Sequence, residues 1–239
     1  MFAYDTKILA ALSTAPQSVP DVVGIMQAID GVCDDGDGLK WFNWLYLGVT
    51  QAVQTRINAT GFSDPAWMAA LDVHFAGFYF DAIRTSLSGK AAPGCWQALF
   101  AQRDQAAIAR IQFAMAGMNA HINHDLPLAI MATCQASASA PQHGTARYDD
   151  YTALNSTLDG QIEGAKQTLH VRLLGAVLPP VSQLENTLGA WDVAAAREAA
   201  WNNAELLWHL ANVPALSASF LDTLDGLTTV AGKTIMVPV

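Results

Sequence analysis

The chain has 239 residues, 52% hydrophobic and only 14% charged, which suits a sizeable buried core and excludes a disordered segment. Twenty-one acidic against 12 basic residues give a net charge of −9. A balance that repels phosphate, without any basic stripe, argues against a nucleic-acid partner.

In chain order, the opening MFAYDTKILAALSTAP carries an early Asp5 and only a short apolar run, a poor secretory signal. Pro20 opens a helix expected to reach about Ile29, and the glycine-rich GVCDDGDG ends it. Leu39 to about Ala59 reads as helix, with Phe42, Val49 and Val53 at helical steps and Asp37 as its cap. The tripeptide SDP at 63–65 starts the next, which is expected to run to Ser86. A short helix at Trp96–Phe100 leads to a long one from about Gln105 to His124, which Pro127 ends or kinks before helix resumes to about Cys134. Beyond the loop SASAPQHGTA, helices are expected over Tyr148–Leu178 (closed by Pro179-Pro180), Trp191–Leu210 and Ala215–Ala231. Runs of period-two alternation are missing, and so are repeats and composition shifts. The expected fold is all-α, one domain over residues 1–239, a bundle of roughly eight helices.

The longest apolar region, Ile111 to Cys134, has Asn119, His121, Asn123, His124 and Asp125 at its centre. Each is costly in hydrocarbon, so the segment reads as a buried helix and not a membrane span. Cys33, Cys95 and Cys134 are odd in number and lack CxxC spacing. They point to buried free thiols in a reducing compartment, with cytoplasm as the expected location, and away from a disulfide scaffold or thiolate metal site.

The polar cluster AGMNAHINHDLP is the one stretch that carries chemistry. Three- and four-residue spacing puts His121 beside His124 and Asp125, and Asn119 beside Asn123. Proline at 127 removes a helical bond and frees backbone groups at the same place. In one reading His121, His124 and Asp125 hold a divalent metal, iron or zinc, with further ligands from Glu205 or from His74, Asp72 and Asp81. In a second, a His–Asp pair performs metal-free acid–base chemistry. In the third, both histidines are hydrogen-bonded residues of a helix junction.

Arg197 shares a face with Trp201 and Trp208, next to a stripe of Glu198, Asn202, Glu205 and His209. If buried, it needs a carboxylate or carbonyl, and Asp37, Asp72 and Asp125 are candidates. The aspartates of DDGD (34–37) and the steps Asn155, Asp159, Glu163 are reminiscent of terpene-cyclase magnesium motifs, but no basic cluster accompanies them. They read as a solvated turn and a polar helix face. His143 reads as a loop residue and His170 as a surface one.

The segments DGLKWFNWLYLGVT, DPAWMAALDVHFAGFYFDA, IQFAMAGMNAHINHDLP and AREAAWNNAELLW together resemble an uncharacterised bacterial family, the domain of unknown function numbered 5995. The likeness runs from about Asp37 to the closing MVPV. It implies a helical domain, transfers no catalytic role, and draws attention to Asn119, His121, Asn123, His124, Asp125, Arg197 and Glu205. His74 departs from the apolar residue associated with that position, and His209 is similarly weakened as a site residue. Two functional expectations follow. One is an enzyme with catalytic His121, His124, Asp125, Arg197 and Glu205, metal-assisted, acting on a small hydrophobic molecule. The other is a binding protein whose aromatic, methionine-rich helices hold such a molecule or pack against another subunit in a homo-oligomer.

Overall fold

In the computed structural model, residues 2–173 and 192–238 are described. Every regular element among them is helical: α1 Asp5–Ala11, α2 Val19–Val32, α3 Gly38–Asn58, α4 Pro65–Leu87, α5 Gly94–Phe100, α6 Arg110–Ala120, a π-helical turn His121–Asp125, α7 Leu126–Ala136, α8 Ala146–Thr152, α9 Asn155–Leu173, α10 Val193–Leu210 and α11 Pro214–Ile235. The all-α class holds, and the longer helices answer to the roughly eight expected. The expected helix end at Leu178, its Pro179-Pro180 closure, the start at Trp191 and the side chain of His170 lie outside the described residues.

Local chemistry starts most of the long helices. Ser18 accepts from the Asp21 amide at 3.3 Å, Asp37 from Leu39 at 3.0 Å, Asp64 from Trp67 at 3.0 Å and Asp192 from Ala195 at 3.0 Å. The expected caps at Asp37 and ahead of Pro65 are therefore in place. Three boundaries differ. The seven-residue α1 has no side-chain cap and escaped notice. Helix α6 begins at Arg110, not Gln105, where Gln112 Oε1 accepts from the Ala109 amide at 2.8 Å. The helix expected from Tyr148 is broken into α8 and α9 by a turn at 153–154.

The rod formed by α6, the π turn and α7 is the centre of the molecule. Helix α6 is buried on every side from Ile111 to Ala120, which explains its lack of an amphipathic stripe. It packs on α3 and α11, while α7 packs on α4 and α10. Gly117 and Gly38 permit the close approach of α6 and α3, since a Cβ at either would lie 2.2 Å from the Phe42 or Phe113 ring. One continuous apolar cluster reaches from Ile8 in α1 to Met236 beyond α11. No helix among the described residues is long and apolar enough to cross a membrane.

Pro127 does not break the rod. The Leu126 amide bonds to the His121 carbonyl, five residues back, and this widened turn absorbs the irregularity. Proline then occupies the first turn of α7, where a missing N–H costs little. The expected break is a π turn inside a continuous helix.

Candidate functional site

The π turn builds the centre of the site. Asp125 accepts from both neighbouring imidazoles: His121 Nδ1 at 3.0 Å to one oxygen and His124 Nδ1 at 2.8 Å to the other. A third donor, the Trp96 indole N–H on α5, reaches Asp125 Oδ2 at 2.9 Å. Burial by itself would push the carboxyl up. The bonds from His121 and then His124 reverse that and hold it below its ordinary value. His121 is pushed down by its own burial, against the pull of Asp125, which favours the neutral imidazole. For His124 burial opposes protonation, but the bond and charge of Asp125, with the charge of Asp225, prevail and raise it.

With Nδ1–H donated to Asp125, the lone pair of His121 is at Nε2, a fully buried atom without a partner among the described residues. Its ring is clamped by Phe75, stacked with centroids 3.5 Å apart and planes 6° apart, and by Tyr46, edge-on at 4.4 Å. His121 lines a cavity of about 70 Å³ between α3, α4, α9, α10 and the central rod, walled mainly by apolar side chains such as Leu45, Leu71 and Leu158. Its few polar groups come from Tyr46, Asp72, His121 and Arg197. The oxygen Oδ2 of Asp72 and the Tyr46 hydroxyl are also buried without a well-formed hydrogen bond. Unpartnered polar atoms around an apolar cavity are the usual sign of a ligand site.

Asp72 gives this site a measurable signature, because burial pushes its carboxyl from 3.8 to about 7. Between those two values the folded protein holds a proton that the unfolded chain has released, so this group's contribution to stability declines as pH rises through the window. Asp72→Asn removes the effect. The variant should match wild type near pH 4 and exceed it by on the order of 3–4 kcal/mol above pH 7, measured by urea denaturation across pH.

The other expected site residues are distributed as follows. Arg197 lines the cavity, but pairs with no carboxylate among the described residues. Its Nε donates to Asn155 Oδ1 and its Nη2 to the Tyr151 carbonyl, both at 2.7 Å, with the guanidinium over the Tyr151 ring. The candidate carboxylates are engaged elsewhere or sit apart: Asp37 with Arg103, Asp125 with the imidazoles, and Asp72 with no ion pair among the described residues. Glu205 does not join the histidine cluster. It accepts from His143 Nδ1 at 2.8 Å and from the Trp201 indole at 3.2 Å, while Glu198 takes His143 Nε2 at 2.9 Å. His143, expected as a plain loop residue, thus fastens its loop to α10. His74 bonds Thr133 at 2.8 Å, Asp81 pairs with Arg84, and His209 is exposed. Asn123 does donate to Asn119 as the spacing implied, at 3.0 Å, and Asn119 donates onward to the Thr228 carbonyl at 2.8 Å.

The expected ligand set His121, His124, Asp125 and Glu205 therefore does not converge on one ion. The two imidazoles spend their Nδ1 atoms on Asp125 and leave it in different directions. Among the described residues a different group is spaced for a metal: Cys95, His124 and Asp225, each offering an atom within 4.8 Å of the others. All three cysteines are free and buried, as expected. Of the DDGD aspartates, Asp37 pairs with Arg103 and Asp35 with Lys40 and Arg110, while Asp34 is exposed. Asn155 is the partner of Arg197, and Asp159 and Glu163 are exposed.

Sequence reasoning missed Trp96, Phe75, Tyr46 and Asp225 as neighbours of this cluster. Aromatics at helical spacing carry no mark that separates a core residue from one facing a ligand. No curated protein and no solved structure matches the chain. The family model described as "Family of unknown function (DUF5995)" matches residues 19–238, from α2 to the C-terminal tail and including every group of this site, so the chain belongs to that family.

Proposed function

We propose that the protein is an enzyme that binds a small, largely apolar molecule in the cavity and moves a proton with His121. The single observation behind this is the unpartnered Nε2 of a neutral, buried imidazole at the cavity wall, held from behind by an ionised carboxylate. A His–Asp pair of this form fixes the tautomer and stabilises the imidazolium that forms when Nε2 accepts a proton. The Phe75 and Tyr46 rings hold the imidazole plane, so its lone pair has one direction. The Tyr46 hydroxyl and the Asp72 carboxyl, protonated below about pH 7, supply donors for the polar end of the substrate, and Arg197 adds positive charge to the wall. The apolar lining supplies the rest of the affinity, at about 25 cal/mol per Å² buried.

A thermal-shift screen of small apolar esters, ketones and alcohols, with hits followed by NMR for turnover, tests this. His121→Gln should still bind the hits while turnover drops by roughly two to four orders of magnitude. The apolar lining also favours a second reading, a carrier that holds such a molecule without changing it. Hits that bind wild type and His121→Gln alike and are consumed by neither would establish the carrier.

A further inference from the structure

The second imidazole on Asp125 faces a different group of atoms. Cys95 opens α5, Asp225 projects from the middle of α11, and His124 comes from the π turn; sulfur, carboxylate oxygen and ring nitrogen lie within 4.8 Å of one another. We propose that Cys95, His124 and Asp225 form a binding site for a divalent transition metal of the zinc class, tying α5 and α11 to the central rod.

The donor set is the first argument. One thiolate, one imidazole and one carboxylate is a borderline-soft combination that suits zinc and discriminates against magnesium and calcium. Bonds of about 2.0 to 2.3 Å put tetrahedral ligands roughly 3.3 to 3.8 Å apart, so a contraction of about 1 Å from the present upper limit would close the shell. A fourth position is left for water.

The second argument is the arrangement behind the histidine. His124 donates Nδ1–H to Asp125 at 2.8 Å, which leaves the lone pair on Nε2 for the metal. Metal-binding histidines are oriented in this way, by a carboxylate on the far ring nitrogen. Asp125 is itself fixed by His121 and by Trp96, the residue next to Cys95. Asp225 is fixed too, since its two oxygens accept from the Gly94 and Cys95 amides, each at 2.9 Å. The Cys95 thiol also bonds to this carboxylate, so sulfur and oxygen already face each other, and loss of the thiol proton frees that lone pair for the metal.

Access is the third. Cys95 and His124 are buried, but Asp225 is partly exposed, so an ion can enter along α11. On binding, the Cys95 thiol and the protonated fraction of His124 release their protons to solvent, and sulfur and Nε2 coordinate as thiolate and neutral imidazole, so uptake strengthens as pH rises. The expectation of no thiolate metal site rested on missing CxxC spacing; here each ligand comes from a different helix. The site does not depend on what occupies the cavity.

The test uses the full chain, stripped with chelator under reducing conditions and titrated with zinc in a calorimeter. Wild type should bind one equivalent and gain thermal stability with free zinc. Cys95→Ser and Asp225→Ala should each weaken binding by roughly a thousandfold or more, beyond the ten- to hundredfold typical of a supporting residue, while His143→Gln binds as wild type does. Asp225 is partly exposed, so its variant keeps the test open if Cys95→Ser fails to fold. Cobalt(II) should give a sulfur-to-metal charge-transfer band that Cys95→Ser abolishes. Wild type that takes up no zinc, or Cys95→Ser and Asp225→Ala variants that bind like wild type, would overturn the proposal and leave Asp225 as a cap for α5.

Discussion

Asp125→Ala is expected to cost roughly 3–5 kcal/mol of folding stability, the largest loss from any single change in the central rod. Three donors point at this carboxylate, from His121, His124 and Trp96, and none has water to turn to. Removing the acceptor strands all three in a fully buried place. Asp125→Asn separates charge from geometry. It keeps one acceptor oxygen, and the imidazole facing its amide can change tautomer, so the loss should fall to about 1–3 kcal/mol. Urea denaturation near pH 7 measures both. The carboxyl is held below its ordinary value of 3.8, so its stabilisation is present in full above that pH and is lost as pH falls through the lower folded value. The gap between wild type and Asp125→Ala should accordingly close under acid, the opposite of the Asp72→Asn pattern.

Arg103→Met should be as damaging, again by roughly 3–5 kcal/mol, at the other end of the rod. Arg103 Nε donates to Asp37 at 2.9 Å, and its Nη2 contacts both Asp37 and Asp5, the latter at 3.1 Å. Asp37 is wholly buried and Asp5 nearly so. Burial alone would lower the arginine, but the bonds and charge of Asp37, then the charge of Asp5, raise it. Without the guanidinium, two carboxylates face each other in the core. Asp37 also caps α3 and accepts from the Tyr4 hydroxyl at 3.0 Å, so the damage should spread to α1 and the start of α3. Arg103→Met combined with Asp37→Asn removes the repulsion and keeps a capping oxygen. The double variant should recover at least half of the loss, measured by chemical denaturation with hydrogen exchange at α3 as the local readout.

These two networks show how far the residues read in order could go. Caps and helical periodicity are local, so α3 and α4 were legible from Asp37, Asp64 and Pro65 almost to the residue. The pairing of His121 with Asp125 and of Asn119 with Asn123 was legible too, because four residues on a helix define a neighbour whatever surrounds them. Arg103 gave no signal, because its partners lie 66 residues away in Asp37 and further still in Asp5. For Arg197 the residues in order gave only a condition, that if buried it needs a carboxylate or carbonyl; packing buried it and selected a carbonyl and an amide over three candidate carboxylates.

By itself, the amino-acid sequence determined that this chain is helical, where its principal helices start, and that a polar cluster interrupts its longest apolar stretch at residues 119–125. Those properties depend on side chains within one turn of each other. Tertiary structure decided the rest. It turned the expected break at Pro127 into a π turn, in which the Leu126 amide reaches the His121 carbonyl and the helix continues. It sent Glu205 to His143, brought Cys95 and Asp225 to His124, and aimed the two imidazoles of one carboxylate at different sites. Each of these is a meeting of groups on separate helices, and their packing directions follow from the fit of the whole core.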